Sequence, residues 1–166
     1  MLVLGDEIEK LKPSRAGVIP YVKIDDEIYF LVGIDKSSGE FGDLGGGVKQ
    51  GETPITASVR EMTEETKELL NVNDLGEIKI GIWDKGNNNC ILFSQLKDEQ
   101  LYYTIENDFK NCTKKGVGFE EMSFLIWLSS DQMIYNIYSK NSKMWSRMKY
   151  TLGNGAVFDD KLLAML

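Results

Sequence analysis

Between residues 45 and 70 the chain passes from three consecutive glycines into an amphipathic helical pattern, and no other stretch constrains the fold as strongly. Thr53 is a capping residue and Pro54 suits a first helical position, so a helix is expected from Pro54 to about Leu70, with Asn71 and Asn73 suited to its exit. At about 100° per residue, Ile55, Val59, Met62 and Leu69 share one side and form the core face. Glu61, Glu64 and Glu65 stand at i, i+3 and i+4 and crowd their carboxylates onto another face. Like charges so spaced cost roughly 0.3 kcal/mol per exposed pair, and more as water is excluded. Arg60 can reach Glu64 at i+4, which leaves two acids uncompensated. A divalent cation would offset them, and oxygen-only ligands suit Mg²⁺ or Mn²⁺. Acidic runs on helices are more often solvated faces, so the triplet alone decides nothing.

Composition narrows the chemistry. The 166 residues contain no histidine, which removes Ser-His and Cys-His nucleophile pairs, His-zinc sites and zinc deaminase sites. Catalysis would have to use carboxylates, lysines, hydroxyls or an oxygen-bound metal. Nineteen basic against 26 acidic residues give a net charge of −7, a field that repels phosphate and disfavours non-specific binding to nucleic acid or anionic membrane. Cys90 and Cys112 lack metal or redox spacing and read as free thiols in a reducing, cytoplasmic compartment. No apolar run approaches the ~20 residues that span a bilayer, and the short apolar start is followed at once by acids, unlike a signal peptide.

Val18 to Ile24 and Ile28 to Ile34 read as a hairpin around Asp25-Asp26-Glu27. Phe41 to Val48 is a short glycine-rich segment. Strands are expected over Glu77 to Trp83 and Cys90 to Leu96, joined by a turn-rich run, and over Met122 to Leu128. Residues 98 to 121 are mixed and polar. Helices are expected from Ser130 or Asp131 to Tyr138, over about Ser142 to Lys149, and over Phe158 to Leu166. Strands on both sides of one central helix, with helices at the end, make a mixed α/β chain whose sheet is sandwiched by helices.

Gly46, five residues, Glu52, seven residues, then Arg60-Glu61-Met62-Thr63-Glu64-Glu65 resembles the Nudix box, G-x5-E-x7-R-E-U-x-E-E-x-G-U with U apolar. The box covers residues 46 to 68 and departs at its end, where the closing glycine is Lys67 and the last apolar position is Glu68. With Lys67-Glu68-Leu69-Leu70 there, the helix is expected to continue another turn. The resemblance implies one Nudix-like domain over 1–166, with a core of about 16–150 and a C-terminal helical extension of about 151–166.

It also implies hydrolysis of the diphosphate linkage of a nucleoside diphosphate joined to another group. Glu61, Glu64, Glu65 and the Gly46 carbonyl would hold Mg²⁺ or Mn²⁺, while Arg60 and Glu52 would hold the loop against the helix and orient the carboxylates. The general base would be Glu61 or Glu64, or else Glu120 or Glu121 before the late strand. Lys110, Lys114 and Lys115, or Lys140, Lys143, Arg147 and Lys149, could meet a polyphosphate, although surface solubility is the plainer role for both clusters. Trp83, Phe119 and Trp145 could stack on a base, whereas Trp127 reads as core.

Markers of three Nudix subclasses are missing. Ser94-Gln95-Leu96 does not match the run of NADH pyrophosphatases, Asp84-Lys85-Gly86 lacks the tyrosine of dinucleoside polyphosphate hydrolases, and Trp83 stands where ADP-ribose hydrolases carry proline. Nucleotide housecleaning, mRNA cap removal and diphosphoinositol polyphosphate hydrolysis remain, so capped RNA is the one nucleic acid still in view, and a homodimer is left open. The alternative is a non-catalytic regulatory module that uses the fold to bind a nucleotide or metal.

Overall fold

Apolar runs on either side of Asp25 and Asp26 pair as the expected hairpin, β2 (Arg15–Ile24) with β3 (Glu27–Asp35), in the computed structural model, which describes residues 1–155 and 157–166. Asp25 and Asp26 both take left-handed backbone angles, φ 49° and 65°, the geometry whose twist matches paired strands. The remaining strands are β1 (Leu2–Leu4), β4 (Phe41–Gly42), β5 (Leu44–Gly47), β6 (Ile80–Asp84), β7 (Asn89–Gln95) and β8 (Met122–Ser129). They order as β1-β6-β7-β2-β3-β4, with β5 pairing on β2 and β8 on β3. Among the strands of the described residues, β2 and β7 pair in parallel and the other pairs are antiparallel.

Alternate residues of β2 enter opposite cores, and helices cover both. Val18 and Val22 join Leu31, Leu44 and Met62 on one face, with Ile8 from the single turn α1 (Glu7–Lys10), Met62 from α2 (Pro54–Glu65), and Ile105 and Phe109 from α3 (Leu101–Asn111). Ile19 and Tyr21 join Phe30 and Phe93 on the other face, against Met133 and Ile137 of α4 (Ser130–Tyr138), Met148 and Leu152 of α5 (Ser146–Gly153) and Leu162 of α6 (Asp160–Met165). Phe158 stacks edge-on to Phe30 at 5.5 Å, so the C-terminal stretch is built into the same core as β2 and β3. The sandwiched mixed sheet is the architecture expected.

Several elements differ from the sequence reading, among them the strand expected from Glu77, which starts at Ile80. α2 stops at Glu65 instead of running to Leu70. The Glu68 amide bonds the Thr63 carbonyl at 2.8 Å and the Lys67 amide bonds Glu64, which turns the chain off the helix with Lys67 and Glu68 at φ 54° and 64°. The glycine-type close is therefore kept without glycine. Lys67 is steadied there by its ammonium, 4.4 Å from the Phe109 ring centre. The polar stretch 98 to 121 contains α3, whose apolar positions Leu101, Ile105 and Phe109 recur at i, i+4 and i+8 among aromatic and polar residues. The helix expected from Ser142 starts later, at Ser146, after Trp145 bonds back to Phe41. The first residues, given no element, form β1 on the edge of β6.

Left-handed geometry costs a non-glycine residue about 1–2 kcal/mol. Glu68 is exposed and holds only a surface ion pair with Lys114 at 3.0 Å. Glu68→Gly is expected to stabilise the protein by about 0.5–1 kcal/mol in urea unfolding; a loss of stability would contradict the strained close.

Candidate active site

Thr53 caps α2 as expected, accepting from the Thr56 amide at 3.2 Å with Pro54 at the first helical position. That start aims Arg60 back across the loop before the helix. Its Nε and Nη2 donate to the two oxygens of Glu52 at 2.7 and 3.0 Å, Nη2 also reaches the Gly47 carbonyl at 2.9 Å, and Nη1 donates to Glu61 Oε1 at 2.6 Å. Glu64 Oε1 lies 3.7 Å from Nη1. The two-pronged bond from Arg60 holds the Glu52 carboxyl down at about 2, helped by the Lys49 amide, and the same contacts push the guanidinium up. Arg60 and Glu52 thus tie residues 47–52 to the helix.

Two close approaches set the acidic groups. A Cβ on Gly46 would fall 2.4 Å from Glu61 Cδ, so the Glu61 carboxyl rests on bare backbone. A Cβ on Gly45 would fall 2.3 Å from the Gly17 Cα, so β5 and β2 meet where only glycine fits. Glu65, 3% exposed, lies on the inner face of α2 beside Met62, where an apolar side chain would be the ordinary occupant. It accepts from the Gly45 amide at 2.9 Å. Burial pushes its carboxyl well above the usual range; Asp43, Glu121 and Glu61 push the same way, and Arg15 opposes.

The loop before β8 closes the group. Gly118, at φ 78°, lies against Glu64, a Cβ there meeting Glu64 Oε2 at 3.0 Å. Glu121 follows, its carboxyl raised by desolvation and by Glu61, Glu64 and Asp35. It lines a cavity of about 360 Å³ together with Glu65, Arg15, Asp43, Phe41 and Trp145. Glu120 and Glu121 are both exposed, and of the two only Glu121 lines the cavity. Glu61, Glu64, Glu65 and Gly46 thus come together, with Glu121 rather than Glu120 beside them.

Other candidates lie elsewhere or are already engaged. Trp83 packs against the core on the α2 side of the sheet, Phe119 is buried, and Trp127 is half-buried against Tyr102. The Trp145 ring carries the guanidiniums of Arg15 and Arg147 at 4.7 and 5.0 Å. Lys149 bonds the Ser139 carbonyl and Lys114 bonds Glu68. Arg15 and Asp43, which the sequence did not single out, lie at the centre of the cavity wall. Their one signal was a charged pair flanking the apolar start of β2 and the glycines.

The donor set is one a hard divalent cation accepts, oxygen only and mostly carboxylate, with the Arg60 guanidinium competing for the same oxygens. Glu61 and Glu65 each spend one oxygen on the protein, on Arg60 and on the Gly45 amide. Among the described residues no three acidic or thiol side chains are yet spaced to hold an ion. The residues therefore fit the ion in chemistry and charge, with two oxygens engaged by the protein. Also among the described residues, no helix is long and apolar enough to cross a membrane.

No protein-family model matches the chain, and no curated protein matches its sequence. Solved structures do. The Bacillus subtilis pyrophosphohydrolase BsRppH superposes with a TM-score of 0.58 at 17% identity, over 99% of this chain and 90% of that one. RenU, a Nudix hydrolase from M. smegmatis, gives 0.57 at 11% identity over 100% and 97%. A binary complex of the C. elegans Ap4A hydrolase gives 0.56 at 17% identity over 93% and 100%. The chain has the fold of the Nudix hydrolases.

A raised carboxyl destabilises the folded state as pH climbs above its ordinary value, because the unfolded chain gives up the proton first. In metal-free protein, Glu65→Gln is expected to raise the melting midpoint at pH 8, with the gain shrinking as pH falls toward 4.5, the group's ordinary value, and absent below it. Thermal scans across that range check it; a variant no more stable than the parent at pH 8 contradicts the burial of a strained charge.

Proposed function

We propose that the chain is a divalent-cation-dependent hydrolase that cleaves the diphosphate linkage of a small nucleotide derivative. The observation that carries this reading is the gathering of Glu61, Glu64 and Glu65 from one helix, with Glu121 from the opposite loop, around the glycines of β5 in a Nudix fold. Glu61, Glu64, Glu65 and the Gly46 carbonyl would hold Mg²⁺ or Mn²⁺. Such an ion, when bound, offsets charge growing on the phosphoryl oxygens and helps to orient the attacking water. Arg60 and Glu52 keep the carboxylates in place. Glu121 is the general base: it lines the cavity beside Glu65, and desolvation together with Glu61, Glu64 and Asp35 raises its carboxyl, which makes it a stronger proton acceptor than an ordinary carboxylate. That one structural neighbour is an Ap4A hydrolase supports a nucleotide derivative as substrate; free Cys90 and Cys112 suit a reducing cytoplasm.

A second reading, a module that binds a nucleotide or metal without turnover, draws on the pairing of Glu61 with Arg60 and the lack of ready ligating spacing among the described residues. A panel of nucleoside triphosphates and nucleoside diphosphate derivatives, assayed with Mg²⁺ or Mn²⁺, separates the two. Turnover that falls by about 10²–10⁴-fold in Glu121→Gln, and is lost in Glu64→Gln, supports the enzyme. No turnover across the panel supports the module.

Two further outcomes are expected. At a free Mg²⁺ concentration about 100 times its dissociation constant, the folded state gains about 2.7 kcal/mol, and Glu61→Gln loses this gain. Activity rises with pH as Glu121 sheds its proton; a bell centred near pH 5 contradicts a raised carboxylate base.

A further inference from the structure

Across the sheet from α2 the chain reverses its charge. Residues 132–158 contain Lys140, Lys143, Arg147 and Lys149 and no Asp or Glu, whereas the remainder of the chain holds 15 basic and 26 acidic residues. This acid-free stretch folds as the body of α4, the connection after it, and α5, all packed on the core layer opposite α2. Asp159, the next acid along the chain, is spent on the Lys161 and Leu162 amides at the start of α6.

The same elements expose aromatic surface. Tyr135, Tyr138 and Tyr150 are 68%, 51% and 63% exposed, and Tyr135 and Tyr138 are neighbours at i and i+3 on α4. Tyr138 and Tyr150 wall a groove of about 480 Å³ together with Ile137, Ser146, Lys149 and Gly153. Glycine lets α5 close on α4 there, since a Cβ on Gly153 would fall 3.0 Å from Ile137 Cγ2. The Tyr138 hydroxyl donates to the Phe158 carbonyl at 3.3 Å and the Lys149 ammonium donates to the Ser139 carbonyl, so two of the walls are held in place before anything binds. Exposed tyrosines around a concave, part-apolar groove have the makeup of a protein-binding surface.

Charge and shape select the occupant. The basic rim attracts carboxylates, the groove admits one apolar side chain, and among the described residues its walls include no Asp or Glu. α4 and α5 both end at the groove, at Tyr138 and Gly153, and the carbonyl ends of helices disfavour a phosphate while leaving an apolar group unaffected. A nucleic acid or an anionic bilayer extends beyond this face to the acidic remainder of the chain. A short peptide stays within about one Debye length, ~8 Å at physiological salt, of the basic groups.

We propose that the α4–α5 face is a docking site for an acidic peptide segment of a partner protein, with one apolar anchor seated between Tyr138 and Tyr150 and flanking carboxylates on Lys140, Lys149 and the neighbouring Lys143 and Arg147. The site lies across the sheet from Glu61, Glu64 and Glu65 and stands whether or not the hydrolase reading does.

The test is fluorescence anisotropy of the full chain with a labelled peptide of about ten residues, Asp and Glu around one central Phe. Saturable binding is expected, about fivefold or more tighter than that of the same peptide with Ala for Phe, and weakened by added salt. Reversing two exposed charges, Lys140→Glu with Arg147→Glu, should weaken binding about tenfold, and Tyr150→Ala should erase the preference for Phe. Unchanged melting midpoints show that the variants fold. Should one fail to fold, the parent protein still decides, because a uridine oligonucleotide and phosphatidylserine vesicles should bind more weakly than the peptide. Tighter binding of either polyanion overturns the proposal in its favour. No saturation by the peptide up to about 1 mM, equal binding of the Phe and Ala peptides, or binding that survives charge reversal also overturns it.

Discussion

One guanidinium holds the acidic end of α2 in a single arrangement. Arg60 spans Glu52, the Gly47 carbonyl and Glu61, with Glu64 just beyond bonding distance, so the loop, the strand and the helix share one anchor. Its charge offsets part of the repulsion among four carboxylates, and its rigid planar fork fixes their directions better than an ammonium could. Remove that anchor and residues 47–52 lose their side-chain tie to the helix, while Gly45 keeps its bond to Glu65. The depressed carboxyl of Glu52 belongs to the same bond: this pair is at full strength above about pH 4.5 and weakens as the pH falls toward 2.

Bare backbone is the second constraint, because charged groups are brought this close only where side chains are absent. Gly46 receives the Glu61 carboxyl, Gly118 lies on Glu64, and Gly17 receives Asp43. A Cβ would collide at Gly46 and Gly17, at 2.4 and 1.8 Å, and would crowd Glu64 at Gly118, whose φ of 78° itself favours glycine. The result is a fold that accepts electrostatic stress at one edge and recovers stability elsewhere, in the two apolar layers on either side of the sheet. Glu65 sits where those interests conflict, a carboxylate on the inward face of a helix. Groups held in this way are common where chemistry needs a charge that folding alone would not select.

Much of the fold was legible because its signals are local. Alternating apolar residues around Asp25-Asp26 report a hairpin, and Thr53-Pro54 reports a helix start, whatever surrounds them. The spacing of Glu52, Arg60 and the three later acids was legible for the same reason, since all five lie on one loop and one helix. What escaped was set by contacts between distant residues. Lys67 takes a left-handed angle because Phe109 and the Glu64 carbonyl reward it, and neither is visible from a pattern that prefers glycine there. α3 was hidden because aromatic and polar residues separate its three apolar positions. The choice of Glu121 over Glu120 depends on which way one loop residue faces after Gly118. Arg15 and Asp43 meet across 28 residues, and nothing in either neighbourhood announces the other.

The account turns on whether the carboxylates of α2 take a divalent ion, leaving the partners they hold in its absence. The most direct measurement is a crystal of the full chain grown in Mn²⁺, with data collected at a wavelength where manganese scatters anomalously. An anomalous peak among Glu61, Glu64, Glu65 and the Gly46 carbonyl, at about 2.0–2.2 Å from carboxylate oxygens, is the result expected. Full manganese in the mother liquor with no peak there, and Glu61 still bonded to Arg60, would contradict it.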